Sequence, residues 1–450
     1  MPMNGAVDVY AGPFGAAQAE RLLWRAGFGP APGEAATLAR QGLEGAVESL
    51  VNPGPEKLVG KSPHGDKGRP LNPDAVWGDD HCWWLDRMVR TTTPLVERMT
   101  LVWHSWFATS NAGVSSQRLM LQQNQLFRAH ALGSFERLLL DVTHDPAMLM
   151  WLNGNDNVKG APNENYGREM MELFTLGADR GAYTEDDVRN QARSLTGWQS
   201  RWSKSRGPVD FHYDPGRHDD GVKKVFGKSG RFEWADACRL CLEHPLHGSF
   251  FVNKLWGYFV PTPPSASTLA ALQSAYLADY QVKPVVTAIL RHPDLYEGGR
   301  MVLPPVVHNA GLLRRIGDTI TTTDWSWISQ MAGQQLFYPP NVAGWDYTRW
   351  LDTSTFLGRW TAVAKVLEPH VVNPNHPPKN EPSDPESLVA NALAFWRNPS
   401  VSPETKNVLL RFAGRAMADA TADWEKTAYP PLIENALRQL IGVSPDLQTA

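Results

Sequence analysis

From Asn163 to Glu172 the chain places acids, amides and an arginine at spacings that chemistry can use. Glu164, Arg168 and Glu172 recur every four residues, which on a helix makes one row, with Asn165 and Glu169 flanking it. In such a row Arg168 would keep Glu164 and Glu172 ionised, and Glu169, farther round, would serve as acid or base. An exposed face carrying ordinary i,i+4 ion pairs has the same spacing and needs no chemistry. What favours a site is the loop in front. Asn153, Asn155, Asp156, Asn157 and Asn163 concentrate side chains that hold unusual turns or coordinate hard cations. Their spacing is not that of an EF-hand, so a divalent cation is compatible with the set without being required, and metal ligands stay unassigned.

Further candidates lie apart in sequence. His218 beside Asp219 has the make-up of a proton-transfer pair or a metal ligand, although Asp220-Gly221 reads as a plain turn. His104 lies in a tryptophan-rich helix, where a satisfied, partly buried histidine is the plainer role. Among 18 tryptophans, Trp103 and Trp198 join Asn163 and Asn165 as candidate ligand-binding groups, against the simpler use of indoles as core filler. Cys238, Cys241, His244 and His247 follow one another at spacings of three and invite zinc. Four ligands so close together across Pro245 are poorly placed to surround one ion. No nucleophile elbow, phosphate-binding loop, HExxH or dinucleotide fingerprint occurs.

These residues need helices to position them. Pro162 and Asn163 start one, with Tyr166, Met170, Leu173 and Phe174 as its apolar stripe and Gly177 as its stop. Thr184 and Asp187 make a capping box for the next, whose Arg189 and Arg193 would face the acids of the first. Elsewhere helical periodicity covers 15–27, 34–51, 77–90, 94–109, 114–132 and 134–143, then resumes from Trp234. The expected fold is mainly α, a multi-helical globular protein with at most a short β-hairpin excursion in the irregular stretch 199–233. Residues 1–367 form the expected main helical domain around the motif block 153–198. The Pro/Asn-rich stretch 368–386 reads as a linker, and 387–450 as a C-terminal helical segment packing on the main domain.

Composition narrows the classes. The chain has 450 residues, 42% hydrophobic and 20% charged, with a net charge of -4, ordinary values for a water-exposed globular protein and no footprint for nucleic acid. No run approaches the roughly eighteen apolar residues of a transmembrane helix. The start lacks a basic stretch followed by an apolar one, so as written it points to the cytoplasm. Three cysteines cannot build a disulfide framework.

Spread along the chain are RLLWRAGFGP, LVWHSWFATS, HALGSFERLLLDVTHDPAMLMWL, NVKGAPNENYGREMMELFTLG, YTEDDVRNQARSLTGW, HDDGVKK, HPLHGSFFVNKLWGYFV and PPNVAGWDYTRW. In this order they resemble the bacterial domain-of-unknown-function 1800 family. The resemblance implies a mostly helical protein, often exported and often encoded beside a sulfatase-like partner, and implies no established reaction. Its motif residues here are Trp103, His104, Asn163, Glu164, Asn165, Arg168, Glu169, Glu172, Thr184, Asp187, Arg193, Gly197, Trp198, His218 and Asp219. The chain departs from the family pattern around Met301 to Arg315.

Two readings follow. In the first, Glu164, Arg168, Glu169, Glu172, His104, His218 and Asp219 form a carboxylate-centred acid/base site of a hydrolase or lyase acting on a carbohydrate-like substrate. In the second, the chain is a non-catalytic binding or assembly protein whose polar motif is a structural network.

Overall fold

A computed structural model describes residues 7–376, 382 and 384–450. Helices dominate it, as the periodicity requires, from Ala16–Ala26 and Glu34–Val51 to the long Asp423–Gly442 helix. Helix starts follow local chemistry. Ser134 and Asp145 accept from the backbone N–H groups of Arg137 and Met148, and Thr184 with Asp187 forms the expected capping box.

Buried side chains form two adjoining sets, with Trp151 and Phe211 packing on both. One joins the N-terminal helices, the inner faces of Pro94–Trp106 and Phe135–Thr143, the motif block and the helices from 234 to 297. The other joins Asp79–Arg90, Pro305–Ile316, Thr353–Leu367 and the C-terminal helices. The Pro94–Trp106 helix serves both, because it is buried almost all round, its polar Glu97, Arg98, Thr100 and His104 included. Residues 377–381 and 383 of the expected linker lie outside the described residues, and the helix Pro385–Phe395 follows.

Buried arginines tie distant stretches of chain by donating to backbone carbonyls. Arg314 reaches Gly29, Val89 and Thr91 and also grips both carboxylate oxygens of Glu34 at 2.9 Å. Arg359 joins Leu303 and Trp350 to Gln448. The cysteines are free and buried, Cys82 in the second core, Cys238 and Cys241 in the first.

The excursion after the motif block consists of two antiparallel hairpins. Strands β1 (Trp198–Ser203) and β2 (Gly207–Tyr213) pair with a bulge between Gln199 and Arg201, and the short β3 (Lys223–Val225) pairs with β4 (Lys228–Gly230). No described helix is long and apolar enough to cross a membrane.

One expected element differs in kind. The helix from Asn163 to Gly177 is α-helical only over Glu164–Glu169 and continues as a π-helix over Met170–Thr175. A π turn holds an extra residue, which rotates everything beyond it relative to an α-helical register. Glu172 therefore leaves the row of Glu164 and Arg168, and the expected Arg168–Glu172 pair does not form. Arg168 instead donates to Glu164 at 3.2 Å and to Glu185 of the next helix at 2.7 Å.

Candidate functional site

The π turn is the hub of the polar interior. Its widened backbone exposes successive carbonyls, and side chains from other motif stretches read them: Lys254 Nζ donates to Leu173 O at 2.8 Å, Trp106 Nε1 to Phe174 O at 3.0 Å, and His247 Nδ1 lies 2.8 Å from Thr175 O. Thr175 turns its own hydroxyl back to Met170 O at 2.5 Å. Gly167, just before the π turn, lets the two motif helices meet backbone to backbone. A Cβ there would stand 3.0 Å from Ala192 N and 3.3 Å from Val188 O.

The Asn-rich loop folds inward to the same junction. Asn157, 1% exposed, accepts from Asn163 N–H at 2.9 Å and donates to Ala192 O at 2.8 Å, while its carbonyl accepts from Gly197 N–H. Asn163 caps the helix through Asn165 N–H at 3.0 Å, and the Asn165 amide donates to Asn153 Oδ1. These amides serve as turn formers and caps. Among the described residues no cluster of three or more His, Cys, Asp or Glu is placed to hold a metal ion. Cys238 meets the Thr143 hydroxyl, Cys241 meets Gln191, and His247 meets Tyr276, so the zinc-like spacing is absorbed into core contacts.

The acids of the motif separate into paired and unpaired groups. Glu164, Arg168, Glu185, Asp186 and Arg189 form a half-exposed ion-pair chain across the two helices. Arg193 holds Asp219 with contacts of 2.7 and 3.2 Å, which, ahead of a Gly221 N–H donation, pulls Asp219 down to about 2. Asp219 also sits over the Thr196 hydroxyl, whose neighbouring carbonyl lies 3.0 Å from His218 Nδ1. His218 is thus the inner wall of this turn. Glu172 accepts from Tyr183 at 3.2 Å. Glu169 has no hydrogen-bonding partner among the described residues; half-burial, and then the charge of Glu172, raise it above the ordinary carboxylate range.

His104 lies elsewhere. Its ring is 2% exposed, surrounded by Trp84, Phe127, Phe337 and Trp345, and its Nε2 accepts from Phe337 N–H at 3.1 Å. Burial pushes it down to about 3, so it stays neutral and pins the loop 337–350 onto its helix. Trp103 is fully buried and donates to Ala131 O, a core indole, whereas half-buried Trp198 stacks on His144. The geometry thus brings Glu164, Arg168, Glu169, Glu172, Asn163 and Asn165 onto one helix and its turn. It sets His218 and Asp219 against the second motif helix, and it gives His104 and Trp103 contacts with none of these acids.

Residues outside the sequence-derived set complete the hub. Lys254 is half-buried overall, with its amine turned inward 4.5 Å from the Trp106 ring centre, and burial lowers it to about 7. Arg98 is 5% exposed, and its Nε and Nη1 have no partner. The signal for both was a lone cation inside an apolar run, FFVNKLWGYFV and PLVERMTLVW.

The fold and this polar hub define a helical protein organised around one π turn. The sequence profile of the family described as "Protein of unknown function (DUF1800)" matches residues 21–449, and the chain belongs to that family. Comparison with curated proteins and with solved structures finds no match.

Proposed function

We propose that this chain is a binding or assembly protein whose central polar motif is a structural network locking the Asn-rich loop, the π turn and the 196–219 segment into one surface. The supporting observation is the use of Asn157, which spends its side chain and its carbonyl on three separate elements. A group so placed, at 1% exposure, stabilises geometry and is out of reach of a substrate. The sulfatase-like protein implied by the resemblance is the first partner to assay. Asn157→Ala is expected to lower stability by about 1–3 kcal/mol and to weaken capture of that partner in proportion to the unfolded fraction. A melting temperature equal to wild type removes the network reading.

A second reading rests on Glu169. An unpartnered, half-buried carboxyl held toward its protonated form beside Glu172 has the make-up of a general acid, which keeps a hydrolase or lyase acting on a carbohydrate-like substrate in play. Under it, Glu169→Gln abolishes turnover of such a substrate while the melting temperature holds. Turnover equal to wild type removes Glu169 from the chemistry.

A further inference from the structure

A cleft of about 400 Å³ opens between the Gln117–Ala129 helix and the β1–β2 hairpin. Leu119 and Pro146 line its helix side, and Val209 and Phe211 of β2 line the other. Leu119 and Val209 are buried, whereas Gln122 on the helix and Arg206 in the hairpin turn are exposed, so an apolar floor lies beneath a polar rim. The hairpin is bent to this shape. Its register runs from Gln199 opposite His212 to Arg201 opposite Val209, so Asp210 and Phe211 together face Ser200. Asp210 absorbs the extra residue at φ +55, a left-handed conformation that Asp adopts more readily than most side chains. The bulge turns three successive residues, Val209, Asp210 and Phe211, to one cavity, where a regular strand would show only alternate ones.

Charge on this wall is one-sided. Arg118 has its guanidinium fixed at the cleft: Nη2 donates to Pro208 O at 3.2 Å and Nη1 reaches Gln122 Oε1 at 3.5 Å, and both partners belong to the wall. These neutral contacts use at most two of the five donors that a guanidinium carries. Arg206 lines the same cavity from the hairpin turn, and among the described residues neither arginine makes an ion pair. Asp210 is the acid on the wall, and Arg201 takes it at 2.5 Å. Two positive charges are left over an apolar floor.

Small-molecule sites are concave and mostly apolar, of about 300–1,000 Å³, with a few polar groups that orient the ligand. An inorganic ion here would leave the floor wet, and a neutral apolar molecule would leave both arginines unanswered. We propose that this cleft binds a small organic anion, its apolar body seated on Leu119, Pro146 and Phe211 and its carboxylate or phosphate group held by Arg118 and Arg206. The planar fork of a guanidinium matches two oxygens of such a group. None of these residues belongs to the motif block, so the proposal stands independently of the role given to Asn157 or Glu169.

The test is calorimetric titration of the full chain with sodium hexanoate and sodium phenyl phosphate, against sodium acetate, inorganic phosphate and hexanol, all at ionic strength matched with sodium chloride. Saturable one-to-one binding of hexanoate or phenyl phosphate is expected, tighter than that of any of the three controls, and the preferred probe identifies the acid group. Arg118→Met should weaken it roughly tenfold, the worth of one charge-assisted hydrogen bond. Arg206→Glu, at an exposed position, should weaken it at least as much with the melting temperature held. Gln122→Trp, also at an exposed position, should fill the cleft and abolish binding in a chain that melts like wild type. No saturable binding of either organic acid overturns the site, and so does acetate, inorganic phosphate or hexanol binding as tightly as they do. Wild-type affinity in the folded Arg206→Glu or Gln122→Trp chain overturns it as well, because the ligand then sits elsewhere.

Discussion

Asp145 illustrates how one residue's surroundings set its chemistry. It caps the Pro146–Trp151 helix, accepts from Gln123 Nε2 at 2.7 Å and is 3% exposed, and burial outweighs those hydrogen bonds to raise it to about 7. The unfolded chain releases this proton near the ordinary carboxylate range, whereas the folded chain keeps it until about pH 7. Between those values the native state binds more protons, so Asp145 makes stability fall as pH rises through that window. Asn has the shape of the neutral acid and still caps. Asp145→Asn is therefore expected to match wild type near pH 4 and to exceed it by about 4 kcal/mol above pH 7, measured by denaturant unfolding at several pH values. Asp219 has the opposite sign: held low by Arg193, it contributes stability that disappears only as pH falls toward about 2.

At the scale of elements, the two motif helices were legible because their signals are local. Asn163, Gly177 and the Thr184–Asp187 box announce starts and stops that the backbone follows. The π turn was not legible, because Tyr166, Met170 and Phe174 satisfy an α-helical stripe equally well. What selects the wider turn is tertiary: Trp106, Lys254 and His247 each come from remote sequence to take its carbonyls. The candidate site suffered similarly. Periodicity found Glu164, Arg168 and Glu169 but joined Glu172 to the wrong partner, and it offered no way to see that Arg98 and Lys254 pair with no acid among the described residues, since a missing neighbour leaves no mark in a sequence. Gly167 is where the element scale can be probed. Gly167→Ala gains helix propensity, yet its methyl would press on the Ala192 backbone, and crowding should prevail by about 1–3 kcal/mol. Unfolding midpoints above wild type would show that the helices separate freely.

Across the whole molecule, cohesion comes from side chains that bridge far-apart stretches as much as from helix packing. Arg314 draws together Gly29, Glu34, Val89 and Thr91, and Arg359 secures Leu303, Trp350 and Gln448. The Arg314 links join segments more than 200 residues apart, and such ties favour joint rather than piecemeal opening. The thiols give that cooperativity a chemical clock. Cys82 belongs to one core and Cys238 and Cys241 to the other, all are 0% exposed, and burial pushes each above the ordinary thiol range, so none offers a reactive thiolate while folded. With Ellman's reagent under mild denaturant, the native protein is expected to stay colourless and then to release its chromophore in a single exponential. A first phase worth one thiol would report early loosening around Cys82, and a phase worth two would report the Cys238 side. Placed by chance one to one core and two to the other, three inert sulfurs turn this protein into its own stopwatch for which half lets go first.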